Sequence, residues 1–126
     1  GFNGGTLLLT DSFDNSRAVT LGTNGGTIQT TAAKTNTFSG TVTGTGKLTK
    51  TGDGTLVLAG TASDYTGGTQ IDGGVVSVSA DRNLGATTGA LGFNGGTLLL
   101  TDSFDNSRAV TLGTNGGTIQ TTAAKT

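Results

Sequence analysis

Asp53 lies three residues after Lys50, Asp64 is next to Tyr65, and Asp81 is next to Arg82. These pairings could support proton transfer, because a carboxylate beside an amine, phenol or guanidinium can move or polarise a proton. The reaction class they allow is polysaccharide cleavage of the lyase type, which some coiled parallel-sheet enzymes carry out with Asp, Lys and Arg alone. The chain has no His and no Cys. That excludes Ser–His and Cys–His nucleophiles, imidazole bases, and imidazole or thiolate metal sites. Each candidate pair sits among turn residues, where Asp ordinarily bonds local backbone. The turn reading is the better one, so no catalytic residue is assigned and the chain is read as no enzyme.

Other groups suggest binding. Asp11, Asp14 and Asn15 (DSFDN, again at 102–106) offer oxygen ligands of the kind calcium takes. Their spacing fits neither an EF-hand loop nor the GGxGxD nonapeptide, and a solvated loop explains them as well. No metal or cofactor is assigned. Thr-x-Thr patterns at 35–37, 41–43, 43–45 and 49–51 suggest the flat arrays that bind ice, but the register does not continue two Thr columns. Arg17 and Arg108, with Phe13 and Phe104, recur once per long repeat. As evenly spaced surface spots they could hold a host glycan or protein weakly and repeatedly. The alternative is a solvated Arg and a Phe covering a loop.

The elements that must position these groups are strands. Hydrophobic residues make up 32% and aromatics 5%, while Gly supplies 24 of 126 residues and Pro none. Thr favours strands and Gly favours turns. The stretch nearest to helix, 79–91, is interrupted by two glycines. The expectation is all-β. Net charge is -1 with the basic residues scattered, which gives no nucleic-acid footprint. No run is apolar enough for direct membrane insertion, and no signal peptide is present. The chain reads as a slice of something longer. Freedom from Cys suits a surface protein that crosses a membrane unbridged.

Residues 1–35 return letter for letter as 92–126, a period of 91. Within it, a glycine precedes each strand-like burst: Gly5, Gly26, Gly46, Gly74, Gly96 and Gly117. These markers step by 21, 20, 28, 22 and 21 residues, so one long repeat reads as four rungs of about 23 residues. The spacing predicts a single parallel β-solenoid over 1–126, with about 5–6 rungs of 20–28 residues. Counting from the markers, Leu7, Ile28, Leu48, Val76, Leu98 and Ile119 should form one interior column. Lys50 breaks the next inward column, so the strand is expected to end before it or bulge there. Further strands are expected at 16–22, 36–43, 55–59 and 67–72, with an insertion near 60–66 and a loop at 81–90. NGGT at 3–6, 24–27, 94–97 and 115–118 marks corners, since Asn and Gly tolerate positive φ.

Residues 44–79 resemble the passenger-associated repeat of bacterial autotransporters, the type V secreted surface proteins. The likeness rests on Gly44, Gly46, Leu48-Thr49-Lys50, Gly52, Gly54-Thr55-Leu56, Leu58 and Gly60. It continues through Tyr65-Thr66-Gly67-Gly68-Thr69 and then Gly74, Val76 and Val78. Ser63-Asp64 and Gln70 depart mildly from the family pattern. The resemblance implies a right-handed parallel β-helix passenger at the bacterial cell surface, anchored in the outer membrane through a barrel domain outside these residues. It assigns no catalytic residues and implies a structural stalk of an adhesin. Expected partners are neighbouring repeats, with end-to-end self-association, and a host glycan or protein.

Overall fold

The computed structural model describes residues 1–122. Among them are fourteen strands, each of three to five residues, and every ladder is parallel. One side of the molecule is a sheet of β1 (Thr6–Leu9), β4 (Gly26–Thr30), β7 (Leu48–Thr51), β9 (Thr69–Ile71), β11 (Leu91–Phe93) and β13 (Val110–Leu112). A second side comprises β2 (Phe13–Asn15), β5 (Thr35–Phe38), β8 (Thr55–Leu58), β10 (Val75–Val78), β12 (Thr97–Leu100) and β14 (Thr118–Thr121). The third begins with β3 (Val19–Leu21) and β6 (Val42–Gly44). It continues with backbone bonds outside the strands, Asp64 N–H to Val42 O and Thr66 N–H to Gly44 O at 3.0 Å and Ala86 N–H to Tyr65 O at 3.1 Å. The chain visits the three sides in rotation, making a parallel β-solenoid of about six turns.

The corners come from turn chemistry. Each NGG places its first glycine at positive φ: +100° at Gly4, +70° at Gly25, +104° at Gly95 and +68° at Gly116. L-residues reach that region only at a cost. The corners also stack. Asn24 N–H donates to Asn3 Oδ1 at 3.0 Å, and Gly4 N–H donates to Gly25 O at 2.7 Å. The second copy repeats both bonds at the same distances between Asn115 and Asn94 and between Gly95 and Gly116.

The duplication supplies its own control for a substitution. A Cβ on Gly25 would overlap the Lys47 backbone carbonyl, whereas one on Gly116 meets nothing within 4 Å. Gly116→Ala should therefore cost only the φ penalty, about 1–2 kcal/mol. Gly25→Ala should cost about 1–3 kcal/mol more through overpacking. Urea midpoints of the two variants test the difference, and equal midpoints would refute it.

The register corrects the expected interior column. On the first side Leu7 aligns with Ile28, but Ile28 then aligns with Lys50, and Leu48 aligns with Gly26 and Thr69. Val76, Leu98 and Ile119 lie on the second side, in a row with Phe13, Asn36 and Leu56. The reason is the 28-residue step from Gly46 to Gly74. It is one turn plus one side, not a long turn with an insertion. Gly5, Gly26 and Gly46 lead into strands of the first side, while Gly74, Gly96 and Gly117 lead into strands of the second. Residues 60–66, expected as an insertion, form the third side of their turn.

Real turns take 19–22 residues along the first side, through Thr6, Thr27, Thr49, Gln70, Gly92 and Thr111. One 91-residue repeat thus carries the chain through four turns and one further side. TLLL is β1 on the first side and β12 on the second. Of the second copy, residues 123–126 lie outside the described residues.

The expected run at 36–43 divides into β5 and β6 around a corner, and the expected loop at 81–90 contains a 3-10 turn at Asp81–Leu84. The side chains facing inward form one apolar cluster that includes Leu21, Ile28, Phe38, Leu48, Leu56, Tyr65, Val76 and Leu98. Four of the six expected column residues are buried in it. Leu7 and Ile119 belong to the end turns and are exposed.

Candidate functional site

Lys50 is the charged group most completely enclosed among the described residues. The strand neither ends nor bulges there, contrary to the expectation. β7 runs through it, Lys50 pairs with Ile28 and Ile71, and its side chain points inward with 0% exposure. The ammonium folds back to the corner and donates to Thr51 O at 2.6 Å, Gly52 O at 3.0 Å and Gly73 O at 3.4 Å. Three carbonyls of two successive corners thus close on one cation, which suits three N–H donors. Burial pulls the amine down from 10.5 to about 8, and the carboxylate of Asp53 opposes that shift. Asp53 itself is exposed. No ion pair joins the two within 4.0 Å, so the pair is not assembled as a proton relay.

Tyr65 and Asp64 part company, because successive residues of an extended segment face opposite ways. Tyr65 is fully buried while Asp64 faces water. The Tyr65 hydroxyl shares a 2.6 Å hydrogen bond with Thr69 Oγ1. Burial pushes the phenol up from 10.0 to about 12, against smaller opposite effects of the Thr69 bond and the Arg108 charge.

Asp81 does not engage its neighbour Arg82, which is exposed. It is paired with Arg108 from the next turn. That guanidinium is 1% exposed. It also donates to Asp81 O at 3.2 Å and Gly85 O at 2.6 Å. The 3-10 turn it grips is built on Asn83, whose Oδ1 accepts from Ser79 N–H and Ala80 N–H and whose Nδ2 donates to Gly60 O at 2.9 Å. Arg108 is therefore no surface spot, which corrects the reading of Arg17 and Arg108 as equivalent binding residues. Phe104 is half-buried against the core, while Phe13 is exposed. The Asp81–Arg108 contact was missed because it spans 27 residues, more than one turn, and involves a residue whose twin stays exposed.

The DSFDN loops bond their own backbone. Asp11 Oδ1 accepts from Ser12 N–H at 2.8 Å and lies 3.7 Å from Lys34 Nζ. Asn15 Oδ1 accepts from Arg17 N–H at 2.9 Å, and Asn106 serves Arg108 N–H in the same way. Among the described residues no three acidic side chains group to hold a metal ion. On the outside of the second side one Thr column persists, through Thr35, Thr55, Thr97 and Thr118 with Val75 between. The adjacent column runs Thr37, Val57, Ser77, Leu99 and Gln120 and is not a Thr array. A groove of about 380 Å³ lies beside the 3-10 turn, lined in part by Ser63, Asp64, Arg82 and Thr87.

These features define a parallel β-solenoid whose buried polar groups tie successive turns together. Residues 48–78 match the family model described as passenger-associated-transport-repeat. The chain thus carries an autotransporter passenger repeat, on β7 to β10, as the resemblance of 44–79 implied. It is also similar to the adhesin BmaC autotransporter of Brucella suis biovar 1 (strain 1330), 43% identical over 65 residues. That match covers 52% of this chain and 2% of the relative, so the chain corresponds to a small fraction of that protein's length. No solved structure matches the chain significantly. No helix among the described residues is long and apolar enough to cross a membrane, which says nothing of a β-barrel.

Proposed function

We propose that this chain is a rod-forming, non-catalytic segment of a bacterial surface adhesin, exported as an autotransporter passenger and held at the outer membrane by a domain outside these residues. The observation that carries the reading is the passenger repeat lying within an uninterrupted parallel coil. In such a coil each turn bonds only its neighbours, so length scales with the number of repeats. At about 4.8 Å per turn, one 91-residue unit extends the rod by roughly 20 Å. The two buried cations, Lys50 and Arg108, are engaged at a corner and in the Asp81 contact, which favours a structural role over turnover.

The test is display. The segment is placed in a passenger carrying its own membrane domain, with an epitope inserted at Thr61, an exposed position on the third side. Antibody should label intact cells, and added protease should remove the label. A tag that stays hidden on intact cells while the protein accumulates inside would end this reading.

A second reading has one observation in its favour, the polar groove at Ser63, Asp64, Arg82 and Thr87. There the rod would bind a host glycan or protein along its flank. Binding on a glycan array that is lost in Arg82→Ala would support it.

A further inference from the structure

The same 31 residues are seen twice in this molecule, in complementary states of cover. Leu7 is 37% exposed and its twin Leu98 1%. Arg17 is exposed and Arg108 is buried. The covering of the second copy comes from the turn before it. β12 pairs with β10, β11 pairs with β9, and Arg108 closes on Asp81 and Gly85. At the other end the relation reverses. Leu21 and Ile28 are each 1% exposed under the turns that follow, while their twins Leu112 and Ile119 are 62% and 53% exposed.

What each end leaves open, the interior shows covered, and by an identified segment. β1 is an edge strand with β4 as its sole partner. By analogy with β12, its missing neighbour is a strand of the β10 kind. Arg17 is likewise missing an Asp81.

We propose that the open face of the first turn is a joint that receives a further 91-residue unit. The incoming unit seats its Thr69–Gly85 turn against Phe2, β1 and the DSFDN loop, and Arg17 closes on that unit's Asp81 and Gly85. Charge complementarity selects this turn. It brings a carboxylate and a free carbonyl to a guanidinium that the same surrounding sequence already aims correctly in the second copy. The joint also sets a rotation. Each unit adds four turns and one side, so successive units present the same surface on successive sides of the rod. Three units return the pattern to its first side. A binding spot carried once per unit would then face all around the rod.

The inference deepens the rod reading by taking another unit of the same rod as the occupant. Its test runs in solution, so a failure of surface export leaves it untouched. The chain is lengthened by one copy of residues 1–91 placed ahead of Gly1, the original residues keeping their numbers. Leu7→Cys, the sole thiol, should react readily with a maleimide in the 126-residue chain. In the lengthened chain it should react at least about tenfold more slowly, because labelling then needs local opening of the coil. Leu98→Cys is the protected control in both. Arg17→Ala, silent in the shorter chain, should lower the urea midpoint of the lengthened one as Arg108→Ala does. Equal Leu7→Cys rates in both chains would overturn the joint. So would a silent Arg17→Ala in the lengthened chain, or an added unit that fails to gain β-structure by circular dichroism.

Discussion

Arg108→Ala is expected to cost about 3 kcal/mol, while Arg17→Ala changes stability by less than about 0.5 kcal/mol. The two arginines sit in identical sequence, so local propensity cancels from the comparison and the surroundings alone set the difference. Around Arg108 the substitution empties a buried volume, leaves Asp81 without its cation, and removes the donor to Gly85 O. Breaking a buried pair by deleting one partner typically costs about 3–5 kcal/mol. Asp81 keeps 27% exposure of its side chain, so water recovers part of its solvation and the lower end applies. A solenoid unravels by turns, so the loss should be local. Hydrogen exchange should rise across 92–122 and stay slow across 26–58. Arg108→Lys should rescue little, because three acceptors spread across a planar fork are not matched by one ammonium. Equal urea midpoints for Arg17→Ala and Arg108→Ala would show that the clasp carries no weight.

That pair of arginines also shows how far the sequence could be read. The all-β coil, its parallel stacking, the NGG corners and the passenger repeat were legible, since glycine spacing and alternation are local signals. The phase was not. A marker glycine announces that a strand follows, without saying on which of three sides. The step from Gly46 to Gly74 therefore looked like one long turn and put Leu48 and Val76 in one column. β2, from Phe13 to Asn15, gave no signal, because Asp and Asn are poor strand formers and the strand is held by pairing with β5. Whether Arg17 or Arg108 is buried depends on the turn stacked before it, and no property of the 35 shared letters records that. Of the candidate pairs, Asp53 acts on Lys50 through its charge alone, and Asp64 and Asp81 turn away from Tyr65 and Arg82. Adjacency in an extended segment places Asp64 and Tyr65 on opposite faces, while Asp81 and Arg82 diverge on a 3-10 turn.

Lys50 gives the coil an alkaline stability maximum. Its amine titrates at about 8 when folded and at 10.5 when exposed. Below pH 8 both states hold the proton, and the folded state bears the whole cost of a buried charge. Between pH 8 and 10.5 the folded state has released the proton and the unfolded state retains it. The unfolded state then binds more protons, so stability rises with pH. Since one pKa unit is worth about 1.4 kcal/mol, the rise by pH 10 approaches 2 to 3 kcal/mol. Tyr65 acts with the opposite sign. Its phenol stays neutral to about 12 when folded but ionises at 10.0 when unfolded, so stability falls across that interval. Urea midpoints measured from pH 7 to 11.5 should therefore peak near pH 10. Lys50→Met should flatten the rise, because the apolar chain has nothing to titrate. It should gain little at pH 7, since Thr51, Gly52 and Gly73 lose the donor their carbonyls share. Tyr65→Phe should keep the rise and weaken the fall. A parent profile level between pH 8 and 10 would mean that the three carbonyls compensate the buried ammonium in full, and that this cation is a neutral corner fastening instead of a destabilising one.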